Sequence, residues 1–324
     1  MMLTRRGTVT GVMAAMAAAP AARAQAFPTG PVRLVIGFPP GGTVDTIGRI
    51  IIGPIGARLG QPLVIDTRAG ASGVLAVENI ARSRPDAHSL VMASAGALAV
   101  MPHMLNTMPY DVERDLTPVT QLVRTPQLLV VGKHVAANSV QELVAAAKAQ
   151  PGKLTFGSTG IGSTLHLAGE LFKMRAGIDI LHVPYRGGAP AVTAMLAGEI
   201  DMLLVDIPVV MQHIRNGSFK PLALASANRI GALPDVPTME QAGVRDVIAE
   251  GWYAIYAPPG TPADQVETVR RAVAEGLADP ATQRALADLG GVVTTSSPEE
   301  LRAYARSESV KWGEVVRVSG ARAN

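Results

Sequence analysis

The residues best suited to chemistry in this chain are glycines and hydroxyls, and the chemistry they suit is anion binding. Phe38-Pro39-Pro40-Gly41-Gly42-Thr43-Val44-Asp45 is the first such stretch. Adjacent glycines let backbone N–H groups approach a ligand closely, and the free N–H groups of a first helical turn favour negative charge. The stretch has no lysine and lacks P-loop spacing, which argues against a nucleoside triphosphate. Gly157-Ser158-Thr159-Gly160-Ile161-Gly162-Ser163-Thr164 is the second. Its hydroxyls place neutral donors beside backbone N–H groups, although Ser163 or Thr164 serves equally well as a helix N-cap. Together the two loops suit a ligand carboxylate held in a cleft without an arginine clamp.

Other positions join them with less definite roles. Ser94-Ala95-Gly96 ends an apolar run. Arg186 in Arg186-Gly187-Gly188 contacts an acidic ligand or simply faces water. Asp206 orients a ligand amine or hydroxyl, or caps the helix after Pro208. Asp45 is expected to hold the first loop by hydrogen bonds to backbone N–H groups.

Catalytic arrangements are poor. The six histidines show no H-E-x-x-H or other metal spacing, and no stretch reads G-x-S-x-G. Met92-Ala93-Ser94-Ala95-Gly96 lacks the first glycine of that elbow. The enzymatic rival is an exported hydrolase using Ser94 or Ser163 with His166 as base. No catalytic residue, metal ligand or cofactor is expected.

Strands and helices that position these loops alternate along the chain. The apolar run Val32 to Ile36 reads as a buried strand, and Val44, Ile47, Ile51, Ile55 and Leu59 form a helix stripe ended by Gly60 and Pro62. Leu63–Asp66, Ser72–Arg82 and Ser89–Ala93 follow as strand, helix, strand. Near Leu116 to Val123 the pattern loosens around Pro118, and a dense strand, Leu128–Val131, follows Pro126. A second alternating set runs from a helix capped by Ser139 to a strand at Pro221–Ala225. Trp252–Ala257 is another strand, and three helices from Ala263 to Val318 close the chain. Such alternation predicts parallel sheets covered on both faces, hence an α/β fold. The runs Leu128–Val131 and Trp252–Ala257 lie where connections between two α/β lobes would fall.

The first residues read as an export signal. Arg5-Arg6 precedes a mostly apolar stretch and the A-x-A site Ala22-Arg23-Ala24, with cleavage expected near Ala24. Thr4-Arg5-Arg6 is compatible with a twin-arginine signal except for Thr8, so both export routes stay open. Of the 29 basic residues against 26 acidic, Arg5, Arg6 and Arg23 would leave with the signal, and the rest balances. With no basic stripe interleaved with aromatics, nucleic-acid binding is not expected. The absence of cysteine excludes disulfides, thiol catalysis and cysteine metal sites.

From about Pro31 to the C-terminal helix, the chain resembles the Bug-type extracytoplasmic solute receptors of tripartite tricarboxylate transporters. The marks are Phe38-Pro-Pro-Gly-Gly with Asp45, Leu167-Ala-Gly-Glu-Leu-Phe172, and Val183-Pro-Tyr-Arg-Gly-Gly-Ala-Pro190. Leu233-Pro-Asp-Val-Pro-Thr238, Trp252 before Ala257-Pro-Pro-Gly-Thr-Pro262, and Lys311-Trp312 complete them. The resemblance implies a two-lobed periplasmic binding protein of type II (Venus-flytrap) architecture, its α/β domains joined by crossing strands. Residues 1–24 would be the signal, 25–125 with 252–324 one domain, and 126–251 the other. The expected ligand is a small organic acid, its carboxylate gripped by the first Gly-Gly loop and by Ser158–Thr164, with the Asp206 position at its distal side. The candidate contacts are Phe38, Pro40, Gly41, Gly42, Thr43, Asp45, Ser94, Ala95, Ser158, Thr159, Gly160, Ser163, Thr164, Arg186 and Asp206. The partners implied are integral-membrane transporter subunits, with the receptor a monomer. Rival readings are a receptor feeding a sensor kinase and the effector domain of a transcription regulator. The export signal, standing where a DNA-binding helix pair would sit, argues against the regulator. The chain departs from the family at Arg68-Ala69-Gly70-Ala71-Ser72-Gly73, where a proline before the first glycine and a glycine at the Ser72 position are usual.

Overall fold

A computed structural model describes residues 27–322, so the expected signal and its cleavage site lie outside the described residues. Strand β1 (Val32–Ile36) is buried at four of its five residues and pairs in parallel with β2 (Leu63–Thr67) and β3 (Ser89–Ser94). Between β1 and β2 runs α1 (Thr43–Leu59), which buries Val44, Ile47, Ile51, Ile55 and Leu59 as its spacing requires. It ends at Gly60, whose φ of 69° is the left-handed conformation that stops a helix. Helix α2 (Val74–Ala81) joins β2 to β3.

The helix expected from Ser72 begins only at Val74. Ala71 and Ser72 have positive φ, so the chain turns sharply through a short 3-10 segment first. After β3, residues Gly96–Val100 form a buried turn of π-helix rather than a plain loop.

Strand β4 (Thr117–Gly132) is the principal correction to the sequence reading. Its 16 residues form one strand through both Pro118 and Pro126. Proline lacks the N–H of the ladder, and each is accommodated at an irregularity. The register slips between Pro118 and Thr120, while Pro126 stands at the end of the pairing with β9 (Glu250–Ala257). From Gln127 onward β4 leaves that sheet and pairs antiparallel with β7 (Met202–Asp206) and β8 (Phe219–Leu224). One strand therefore belongs to two sheets.

In the second sheet, β5 (Thr155–Ser158) pairs in parallel with β6 (Leu181–Pro184) and β7. Its helices are α3 (Val140–Ala149), α4 (Thr164–Ala176), α5 (Gly188–Ala197) and α6 (Ile207–Arg215). Ser139 caps α3 through the Glu142 N–H, as read from the sequence. At the crossing, three segments are tied by backbone hydrogen bonds. Gln127 N–H donates to Ala249 O, Ala249 N–H to Ala225 O, and Ala225 N–H to Gln127 O.

The chain returns through β9 to α7 (Ala263–Leu277), α8 (Pro280–Ala287), the short β10 (Val292–Val293) and α9 (Pro298–Ser319). Helix α7 packs with α1 on one face of the first sheet, and α5 and α6 cover the second with a core of their own. The opposite face is different. There α9 packs against the 96–100 turn, β4 and α4, in one core that runs through both lobes. The two indole N–H groups of the chain, on Trp252 and Trp312, both donate to Glu308 Oε2, at 3.2 and 3.1 Å. Among the described residues no helix is long and apolar enough to cross a membrane.

Candidate functional site

One strand of the first sheet and three of the second, each in the parallel part of its sheet, hand the chain to four helices on one side of the molecule: β1 to α1, β5 to α4, β6 to α5 and β7 to α6. The N-caps are Gly42, Ser163, Gly187 and Asp206. The helix ends meet around a pocket of about 460 Å³, open solvent at its mouth included. Phe38, Gly42, Thr43 and Ser94 of the first lobe face Thr159, Ser163, Thr164 and Asp206 of the second. These eight were expected from the sequence. The position outside the carboxyl ends of parallel strands is the usual place for a ligand in such sheets.

The remaining candidates stand around the pocket rather than on its wall. Asp45 holds the first loop as expected, accepting from the Gly41 N–H at 3.0 Å and from Arg49 Nε at 3.0 Å. Burial pushes its carboxyl up, but these two partners outweigh that and hold it below its ordinary value. Pro40 and Gly41 are exposed on the rim, and Ala95 is buried behind Ser94. The Ser158 hydroxyl is buried under its own loop, accepting from the Gly160 N–H at 3.2 Å. Arg186 is exposed to solvent at its turn. No cationic side chain lines the pocket among the described residues.

Residues that sequence reasoning passed over complete the wall, above all Tyr253, Val209 and Gly188. Tyr253 lay within a segment read only as a strand. A tyrosine in a buried strand needs a partner for its hydroxyl, and that was the available signal. It stands opposite Ser94 in the β3–β9 register and donates a hydrogen bond to Asp206 Oδ2. Burial raises the Asp206 carboxyl to about 6 even though Tyr253, Thr43 and Thr125 oppose the shift. Its Oδ1 has no hydrogen-bond partner. Asp206 therefore caps no N–H of α6, and one oxygen remains unpaired in the pocket wall. Gly251 makes room for it, since a Cβ there would come within 2.7 Å of that oxygen.

The lobes touch around the rim. Ser72 Oγ donates to Ile161 O across the cleft at 2.7 Å. A Cβ on Gly162 would lie 2.1 Å from Met101 Sδ, and one on Gly187 would lie 3.0 Å from the Pro39 ring. Ser72, from the turn before α2, thus makes an interlobe hydrogen bond at the rim, in addition to the Tyr253–Asp206 bond in the pocket wall.

The hydrolase arrangement is not formed. Ser163 Oγ accepts from the His166 N–H as a helix cap and donates to Gly160 O, while His166 Nδ1 accepts from the Gly162 N–H. Ser94 Oγ has no partner. Neither serine meets the imidazole.

Residues 47–321 match the model of the tripartite tricarboxylate transporter family receptor. The chain belongs to this family. It is 35% identical to Protein BugT of Bordetella pertussis, over 99% of both chains. Its fold matches the solved structure of Rhodopseudomonas palustris Rpa4515 with adipate at a TM-score of 0.89 and 32% identity, covering 92% of this chain and 99% of that one. It also matches the periplasmic binding protein BugD at a TM-score of 0.86 and 28% identity, covering 91% and 99%. The two-lobed receptor architecture expected from the sequence is the fold of this family.

Proposed function

We propose that this receptor captures a small organic acid in the pocket between its lobes and delivers it to a tripartite tricarboxylate-type membrane transporter. One observation carries the reading: helix N-termini from both lobes converge on one pocket with no cationic side chain on its wall. Unpaired N–H groups at helix ends stabilise an anion without a counter-ion. The adipate held by Rpa4515, a relative of the same fold, agrees with a carboxylate ligand. The protein acts by binding, with no chemistry of its own. It works in the periplasm as a monomer, after removal of residues 1–24. Residues 25–125 with 252–324 form one lobe and 126–251 the other, with β4 and the segment leading into β9 crossing between them.

Thr43, Thr164 and the flanking backbone N–H groups grip the carboxylate, with Phe38, Ser94, Thr159 and Ser163 beside it. Asp206 and Tyr253 face the ligand's far end. A thermal-shift screen of the mature chain against linear dicarboxylates, amino acids and aromatic acids tests this. A ligand at 100 times its Kd adds about 2.7 kcal/mol to stability. Gly42→Leu places a side chain in the pocket, while the negative φ of Gly42 leaves the fold unstrained. The shift produced by a hit is expected to vanish in this variant. A full shift retained there would move the site elsewhere, and no shift with any acid would remove carboxylates as the ligand class.

A further inference from the structure

Beneath the second loop lie two histidines that the binding site does not use. His166 is on the first turn of α4 and His182 on β6, and their rings stack with centroids 3.9 Å apart and an interplanar angle of 16°. Phe156 covers the other side of His182 at 4.9 Å. The close approach depends on Gly169, where a Cβ would come within 2.1 Å of the Phe156 ring. This lets α4 settle onto the sheet with His166 over His182.

Each ring holds a different part of the loop. His182 Nε2 is 2.7 Å from Ser158 Oγ, and that hydroxyl accepts from the Gly160 N–H. His166 Nδ1 accepts from the Gly162 N–H at 3.3 Å. Gly160 and Gly162 have φ of 131° and 77°, a path that other residues rarely take. Between them, Ile161 O receives the Ser72 hydrogen bond from the other lobe. Gly162 faces Met101 of that lobe. The histidines therefore anchor the segment through which the second lobe meets both the pocket and the first lobe.

We propose that the stacked His166–His182 pair is a positioning element that sets the shape of loop 158–164 for ligand capture and lobe docking. The inference rests on the reading of that loop as part of the ligand site. It has a sharp chemical condition. A nitrogen that accepts an N–H must carry a lone pair, so His166 keeps its bond to Gly162 only while Nδ1 is unprotonated. Two stacked rings also cannot both be cationic without strong repulsion. The charged groups reaching the pair are Lys173, ion-paired with Glu170 at 3.5 Å, and beyond them Asp179. Burial, with Lys173 adding to it, lowers His166 to about 4. Burial, His166 and Lys173 lower His182 to about 3. Once the loop opens, the histidines regain an ordinary value near 6.5, so the open form binds more protons than the closed one. Loop order is then complete above that value and is lost as pH falls through the interval toward 4.

Amide hydrogen exchange across 158–164, read by mass spectrometry on the mature chain without ligand, tests the pair directly. Normalised to the intrinsic exchange rate, loop protection is expected to fall at least about tenfold between about pH 7 and about pH 5, while α7 stays unchanged. His166→Phe keeps the ring stack but removes the acceptor, and should lower protection at about pH 7. His166→Asn restores an acceptor near the Nδ1 position, and should recover that protection while weakening the pH dependence. Wild-type protection that is indifferent to pH would overturn the proposal, whatever the variants do. So would equal protection in wild type and His166→Phe. Should His166→Phe not fold, the wild-type profile and His166→Asn decide. Because no ligand enters the measurement, a loop that behaves as proposed without carboxylate binding would refute the ligand reading alone. Carboxylate binding with a pH-indifferent loop would refute the positioning role alone.

Discussion

Asp206 is the residue at which ligand binding and proton binding are most directly coupled. Its carboxyl is buried, bonded to Tyr253 through one oxygen and unpaired at the other. A buried acid whose value is raised to about 6 is neutral below it and charged above it. Its contribution to stability is therefore fully present at acid pH and is lost as pH rises through about 6. A carboxylate ligand sharing the pocket prefers the neutral form. Affinity for such a ligand should rise roughly fivefold between about pH 7.5 and about pH 6.5, above the range in which the histidine pair loosens the loop, as followed by calorimetry at constant ionic strength. Asp206→Asn, neutral throughout, should bind without that slope. Gly251→Ala probes the same group from outside the pocket wall. Its new methyl must displace Asp206 Oδ1 or Thr125 Oγ1, and a loss of affinity of at least tenfold is expected.

The helices and loops around the pocket differ in how plainly the sequence announced them. Helix α1 was legible from its apolar spacing and terminal glycine, and both glycine loops from composition and their place between strand and helix. Strand β4 was not. Pro118 reads locally as a breaker, and only the partner strands show that it occupies a register slip. Tyr253 was missed for a related reason, because its role comes from meeting Asp206 where the two sheets join at β4, 47 residues away in sequence. Contacts of that range leave no periodic trace. The Ser72–Ile161 hydrogen bond is the same kind of feature, set by the unusual turn before α2. Ser72→Ala removes one interlobe hydrogen bond, a change of about 1 kcal/mol or about fivefold in affinity. Most of it should appear in the ligand dissociation rate measured by stopped flow, since the bond helps hold the lobes together.

At the scale of the whole molecule, the two faces differ in how freely they let the lobes move. The α1–α7 and α5–α6 cores are separate, whereas the core under α9 is continuous through both lobes. Motion about the β4 crossing must therefore shear that shared core, in which α9 lies against α4. Trp252 pairs with Arg124 just before the crossing, and Trp312 sits on α9, with Glu308 bonded to both indoles. The protein thus carries its own optical gauge. Indole emission is sensitive to a nearby carboxylate, and both of its fluorophores report on one. Ligand addition should change the emission intensity of the unlabelled protein with the same midpoint as the thermal shift. Trp252→Phe, which removes the indole nearer the crossing, should lose most of that response while leaving the midpoint measured by calorimetry unchanged. A response that survives intact in Trp252→Phe would place the movement at α9 instead.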